Sequence, residues 1–150
     1  MFEAQSPAMK TNVAAHPSHH PPEEQANGGA FSAADGVRFA GTHLLVDLWD
    51  GHDLDSLVVV EAALREAVQA AGATLLRIDL HHFIPYGGVS GVAILTESHM
   101  SIHTWPEEGF AAFDIFVCGD CEARRIVPVI QRHFGSVNTR VTELRRGIAP

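Results

Sequence analysis

Cysteine is scarce in this chain of 150 residues, which contains only Cys118 and Cys121. Two cysteines cannot form the framework of several disulfides that stabilises small secreted domains. Long apolar runs are missing too, so we expect no segment that crosses a membrane as a helix. The first residues lack a basic stretch followed by an apolar one, as a secretory signal would need. We therefore expect a cytoplasmic protein without a membrane partner.

Basic residues are also few, with 10 Lys and Arg against 18 Asp and Glu, and the formal net charge is −8. A negative chain is repelled by phosphate backbones, which argues against a general nucleic-acid binder. The length is sufficient for one domain with a real core. Residues 1–37 contain four prolines and the pair Gly28-Gly29. Such a stretch buries too little apolar surface to become ordered, so we predict a disordered tail at 1–37 and a domain at 38–150.

Apolar residues at three- and four-residue spacing predict two helices. The first is expected to begin at a cap on Asp53 or Asp55 and to end at Ala71. The second is expected to begin at a cap on Asp120, and Pro128 should kink or shorten it. Alternating or continuous apolar runs predict six strands, at 39–49, 73–82, 88–96, 99–104, 111–117 and 137–144.

Strands outnumber helices, and short connections favour antiparallel neighbours. The predicted fold class is therefore α+β: a two-layer sandwich in which two helices cover one face of a mainly antiparallel sheet.

Polar residues with potential chemistry concentrate just after the predicted strand 88–96. Ser98 is followed within ten residues by two histidines, a tryptophan and two acids. A serine among proton carriers is typical of nucleophilic chemistry. However, the Gly-x-Ser-x-Gly elbow of many hydrolases is missing, and a polar loop between strands explains the residues equally well.

The two cysteines form a Cys-x-x-Cys motif, Cys118-Gly119-Asp120-Cys121. By itself this motif indicates a redox pair or half of a zinc site. A second cysteine pair is missing, although histidines could complete four ligands. A metal or redox module therefore stays open at this point.

A longer motif that includes Ser98 resembles that of a known family, and this resemblance favours one function over the others. Glu97-Ser98-His99 is followed by Ile102-His103-Thr104-Trp105-Pro106-Glu107 and then by the strand-like stretch 111–117. This pattern resembles the proenzyme of prokaryotic S-adenosylmethionine decarboxylase. The resemblance is densest over 83–120 and weaker over 41–146.

The resemblance implies that the chain cuts itself between Glu97 and Ser98 into chains 1–97 and 98–150. Ser98 would attack the carbonyl of Glu97, and the resulting ester would be lost by β-elimination. The new N-terminal residue would become a pyruvoyl group, the cofactor of the family, and no metal is implied. The substrate amine would condense with this ketone before carbon dioxide leaves.

The resemblance also implies roles for three other site residues. His103 would carry protons during processing, Ser90 would polarise the scissile carbonyl, and Cys118 would protonate the substrate carbon after decarboxylation. Ser98 and His103 bracket a tight turn or short strand, so the two could meet. Cys121 is expected to be incidental.

For the substrate, the resemblance implies that Glu107 accepts hydrogen bonds from a ribose diol. Phe83 and Trp105 would stack on adenine or face the sulfonium, although ordinary packing explains both aromatics equally well. The implied activity is the decarboxylation of S-adenosylmethionine for spermidine synthesis, by a dimer of processed αβ units with the site close to the interface.

Two alternatives share this pattern. One is the same chemistry on ornithine or arginine, against which Glu107 argues because amino acids have no ribose. The other is an uncleaved regulatory homologue, against which the intact Ser98, His103 and Cys118 argue.

Overall fold

The computed structural model describes residues 31–149, so most of the predicted tail lies outside the described residues. At the C-terminal end of the predicted tail, β1 (Ser32–Ala34) and β2 (Val37–Phe39) pair as a small antiparallel sheet. The turn between them is Asp35-Gly36, with φ of 54° and 76°, and Asp-Gly is a favoured hairpin turn. The tail boundary predicted at residue 37 was therefore wrong: ordered structure includes Ser32.

One six-stranded antiparallel sheet forms the main layer. Its order is β4-β5-β6-β7-β3-β8. The strands are β3 (Gly41–Leu48), β4 (Leu75–His82), β5 (Val89–Leu95), β6 (Ser98–Trp105), β7 (Phe110–Val117) and β8 (Thr139–Arg146). All neighbours run antiparallel. Short connections join β4, β5, β6 and β7 in succession, which favours this arrangement for those four strands.

Two helices, α1 (Leu57–Ala70) and α2 (Ile126–His133), pack on one face of this sheet. Alternate strand residues point toward the helices, as Met100 and Ile102 do from β6, and both are fully buried. The helices contribute Leu64 and Ile130 to the same core. This arrangement confirms the predicted two-layer α+β sandwich. None of the helices in the described part is long and apolar enough to cross a membrane.

The start of α1 differs from the prediction. Its N-cap is Ser56, whose hydroxyl accepts a hydrogen bond from the amide of Val59 at 3.3 Å. Asp53 and Asp55 lie before the cap, and Asp53 has a positive φ of 57°. The hydroxyl satisfies one of the amides that the first helical turn leaves unpaired.

The start of α2 also differs. A short 3₁₀ turn, Ala123–Arg125, precedes it, and no side chain caps it, so Asp120 is not its cap. Pro128 lies in the first turn, where a missing amide breaks no intrahelical hydrogen bond. The helix is eight residues long, and it begins at Ile126 rather than directly after Asp120. The last strand is displaced by two residues from the prediction.

The opposite face of the sheet carries mixed side chains, and within residues 31–149 no helix packs on it. Leu45 and Leu144 are 37% and 44% exposed there. His43 lies opposite Leu144 in the register of β3 and β8, and its Nε2 is 3.4 Å from a carboxylate oxygen of Asp114. We call this surface the open face.

Candidate active site

Ser98 begins β6, directly after the turn from β5, and pairs with Leu95 and Val117 on the two sides. Its φ is 144°, a backbone conformation that residues with a side chain rarely adopt. Such a conformation costs of the order of 1–3 kcal/mol and persists only where surrounding structure imposes it. Pairing on both sides of Ser98 supplies that constraint. The strain lies directly beside the Glu97–Ser98 peptide bond.

Cys118 provides two donors for the carbonyl oxygen of Glu97. The amide of Cys118 lies 3.2 Å from that oxygen, and its Sγ donates to the same oxygen at 3.0 Å. The side chain of Glu97 is held in turn, because it accepts a hydrogen bond from the amide of Thr74 at 2.8 Å. Donors that converge on a carbonyl oxygen stabilise the negative charge that forms on nucleophilic attack. We call Glu97, Ser98 and Cys118 the cleavage cluster.

Cys121 lies beside this cluster but makes weaker contacts. Its Sγ is 3.9 Å from the carbonyl oxygen of Gly72. Burial raises the pKa of the Cys121 thiol, and the charges of Glu97 and Cys118 raise this pKa further. Among residues 31–149, no three or more His, Cys, Asp and Glu side chains group as metal ligands would.

Ser90 and His103 form a second cluster across β5 and β6. They are register partners, and Ser90 Oγ lies 2.8 Å from His103 Nδ1. The neighbouring Thr104 is buried. Its hydroxyl accepts from the amide of Val89 at 2.7 Å and donates to the carbonyl of Leu54 at 2.8 Å. Thr104 therefore fixes the start of β5, next to Ser90.

A cavity of about 330 Å³ opens beside this second cluster. It contains all three predicted substrate-binding residues, Phe83, Trp105 and Glu107. The whole lining consists of Phe83, Tyr86, Gly88, Ser90, His103, Thr104, Trp105 and Glu107. A side chain at Gly88 is excluded, because its Cβ would lie 2.8 Å from the Thr104 carbonyl oxygen.

Aromatic rings that the sequence did not single out support the cavity walls. Phe83 packs edge-on against His81, with 4.5 Å between ring centroids. On the other side Trp105 lies 5.3 Å from Phe110. The signal for His81 was its position two residues before Phe83, at the end of β4.

The two clusters do not meet within one chain. β6 is a continuous strand of eight residues that pairs with β5 and β7 along its length. Five residues at about 3.3 Å each put His103 roughly 17 Å from Ser98. The prediction that Ser98 and His103 could meet is therefore wrong for a single chain. An extended strand separates them, whereas a tight turn would have joined them.

Comparisons with known proteins agree on one family. The family model for S-adenosylmethionine decarboxylase matches residues 42–147. The chain is similar to the S-adenosylmethionine decarboxylase proenzyme of Thermomicrobium roseum, with 46% identity over 113 residues that make up 75% of this chain and 97% of the relative. The corresponding proenzyme of Methanococcus maripaludis is 43% identical, over 72% of this chain and 90% of the relative.

A solved structure gives the same result. The crystal structure of the adenosylmethionine decarboxylase from Aquifex aeolicus matches with a TM-score of 0.66 and 32% identity, over 73% of this chain and 92% of that one. The family model spans both the cleavage cluster and the cavity. This chain belongs to the S-adenosylmethionine decarboxylase family.

Proposed function

We propose that this protein cleaves itself between Glu97 and Ser98 and then decarboxylates S-adenosylmethionine. The products are carbon dioxide and decarboxylated S-adenosylmethionine, an aminopropyl donor for spermidine synthesis. The observation that carries this proposal is the cleavage cluster: two Cys118 donors lie within 3.2 Å of the Glu97 carbonyl oxygen, next to the strained Ser98 backbone.

Processing begins when Ser98 Oγ attacks the carbonyl carbon of Glu97. Negative charge then develops on the carbonyl oxygen, to which the amide and thiol of Cys118 donate. The C–N bond breaks and an ester forms, which relieves the strain at Ser98. A base then removes the Ser98 α-proton, the Cβ–O bond of the ester breaks, and the main-chain carboxylate of Glu97 leaves. An imidazole suits this base, because its pKa lies near neutrality. The dehydroalanine left at residue 98 tautomerises to an imine, which water hydrolyses to the pyruvoyl group with release of ammonia.

The residues of the cleavage cluster fit the pyruvoyl group that this reaction would generate at residue 98. A pyruvoyl group withdraws the electrons that a departing carboxylate leaves behind. Cys118 Sγ, which in the uncleaved chain donates to the Glu97 carbonyl oxygen, is then free to donate its proton elsewhere. We assign to this thiol the protonation of the substrate carbon.

The cavity suits a nucleoside rather than a free amino acid. Glu107 offers a two-oxygen acceptor for a ribose diol, and Phe83 and Trp105 offer flat surfaces for adenine or a sulfonium. Phe83 and Trp105 are 47% and 43% exposed, which leaves much of each ring free to contact a ligand.

We further propose that two copies complete each site. His103 is roughly 17 Å from Ser98 in one chain, yet the chemistry requires a base beside Ser98. A two-fold dimer that packs the open faces together would bring Ser90, His103 and the cavity of one copy to the cleavage cluster of the other. The exposed Leu45 and Leu144 on the open face support such packing. A cytoplasmic location stays a prediction.

The Ser98→Ala variant tests self-cleavage. Without a hydroxyl no ester forms, so denaturing electrophoresis should show one intact chain, whereas the unaltered protein should give chains 1–97 and 98–150. The smaller chain should resist stepwise N-terminal degradation, because its amino group is lost. Ser101→Ala, on the same strand, is the matched control and should cleave normally. An unaltered protein that decarboxylates S-adenosylmethionine as one intact chain would contradict the proposal.

A further inference from the structure

Cys118 and Cys121 lie at the two ends of a tight turn whose central residues are Gly119 and Asp120. Gly119 has a φ of 66°, which a glycine adopts without strain. The first and last Cα atoms of a β-turn are within about 7 Å of each other. Disulfides join Cα atoms that are about 4.4–6.8 Å apart. Both cysteines are free thiols, and the turn limits their Cα separation to a range that overlaps the range found for disulfides.

Oxidation to a disulfide would remove the thiol proton of Cys118. Cys118 Sγ donates this proton to the Glu97 carbonyl oxygen at 3.0 Å. A disulfide sulfur carries no proton, so it cannot donate to this oxygen or protonate a substrate carbon. Cys121 is a suitable partner. Its 3.9 Å contact with the Gly72 oxygen is long even for sulfur, so little stability is lost when Cys121 gives up this contact to form a disulfide.

We propose that Cys118 and Cys121 form a reversible oxidation site for small-molecule disulfides, and that the bond between them slows both self-cleavage and decarboxylation. This proposal rests on the proposed function of Cys118. In the first step a thiolate of the pair attacks the small disulfide, whose S–S bond breaks and releases one thiol. The second cysteine then displaces the other thiol and closes the protein disulfide. Two protein sulfurs are oxidised, and the small disulfide is reduced to two thiols that take up the two protons.

Glutathione at varied ratios of oxidised to reduced form is the probe. The precursor is made by cell-free synthesis at each ratio, and its disulfide is read by mass as the loss of two hydrogen atoms. Oxidised precursor should cleave about fivefold more slowly, the effect of losing one hydrogen bond of average strength. Oxidised processed enzyme should lose about 10²–10⁴ in decarboxylation rate, the contribution of a positioned acid. Dithiothreitol should restore both rates.

Cys121→Ser is the control variant, because it keeps the Cys118 thiol but removes its partner. At the glutathione ratio that half-oxidises the unaltered protein, this variant should cleave at its reduced rate. The absence of a protein disulfide at every ratio would overturn the proposal, as would a disulfide that leaves both rates unchanged. A fully reduced precursor that fails to cleave would contradict the proposed function instead, and the mass would still report whether the pair oxidises.

Discussion

A strained residue and a polarised carbonyl occur together at the proposed cleavage point. The positive φ of Ser98 raises the energy of the uncleaved chain, and the two donors of Cys118 lower the energy of the state that follows attack. Both effects reduce the barrier for the same bond. No other non-glycine residue of the described part has a φ as large as that of Ser98: Asp35, Asp50 and Asp53 have φ between 54° and 59°.

Replacement of Cys118 by alanine should separate the two reactions. Cys118→Ala removes the thiol but keeps the residue 118 amide as a donor, so self-cleavage should slow but still occur. Decarboxylation of S-adenosylmethionine by the cleaved protein should fall by about 10²–10⁴, measured as carbon dioxide release. Cys121→Ala is the control and should change the reduced enzyme little. If both variants lost bound zinc and were equally impaired, a metal site would replace this assignment.

The charge of Glu107 should matter for substrate binding but not for cleavage. Glu107→Gln keeps the shape and removes the charge, and hydrogen bonds to charged groups contribute about 1.5–3 kcal/mol. We expect KM for S-adenosylmethionine to rise roughly ten- to hundredfold while electrophoresis shows normal cleavage. Glu108→Gln is the matched control, since Glu108 is exposed next in sequence but does not line the cavity. Faster decarboxylation of ornithine or arginine than of S-adenosylmethionine would contradict the substrate assignment.

At the scale of elements, β6 both separates and connects the two clusters. Its first residue belongs to the cleavage cluster, and its last residues line the cavity. Register pairing with β5 sets Ser90 opposite His103. The buried Thr104 then ties β6 to the start of β5 and to the loop before α1.

The Thr104→Val variant tests this tie. Valine matches threonine in shape but leaves the Val89 amide and the Leu54 carbonyl without their partner, at a cost of about 1–3 kcal/mol for each buried group. Thermal unfolding should show a lower Tm, and both cleavage and decarboxylation should weaken, because the Ser90–His103 pair loses its support. Thr104→Ser keeps the hydroxyl but loses a buried methyl group. Its activity should therefore stay closer to that of the unaltered protein than its Tm does. A valine variant with unchanged Tm and rates would show that the tie is dispensable.

At the scale of the whole molecule, the proposed dimer makes each site depend on two chains. Ser98→Ala and His103→Ala copies should each stay uncleaved when expressed alone. Mixed dimers contain one site with both residues intact, formed by Ser98 of the His103→Ala copy and His103 of its partner. Equal co-expression should therefore cleave about half of the His103→Ala chains, because random pairing makes half of their partners competent. Differently tagged copies on denaturing gels provide the measurement, and no cleavage in the mixture would contradict a shared site.

Local sequence signals predicted most elements, because apolar periodicity depends on which face of an element is buried. They failed at helix starts, where several candidate caps compete: Asp53, Asp55 and Ser56 all carry suitable oxygens, and only backbone geometry selects Ser56. Sequence signals also missed the hairpin around Asp35-Gly36. Its strands are only three residues long, which is too short for an apolar pattern to distinguish them from a disordered tail.

The sequence by itself determined the family, through the motif around Ser98, and the fold class, through its strand and helix periods. It also predicted Phe83, Trp105 and Glu107, which share one cavity. Only the tertiary structure decided which groups meet. Cys118 reaches the Glu97 carbonyl from 21 residues away, whereas His103, five residues from Ser98, lies far from it. The physical reason is that antiparallel pairing joins residues of neighbouring strands, while an extended strand holds its own residues apart.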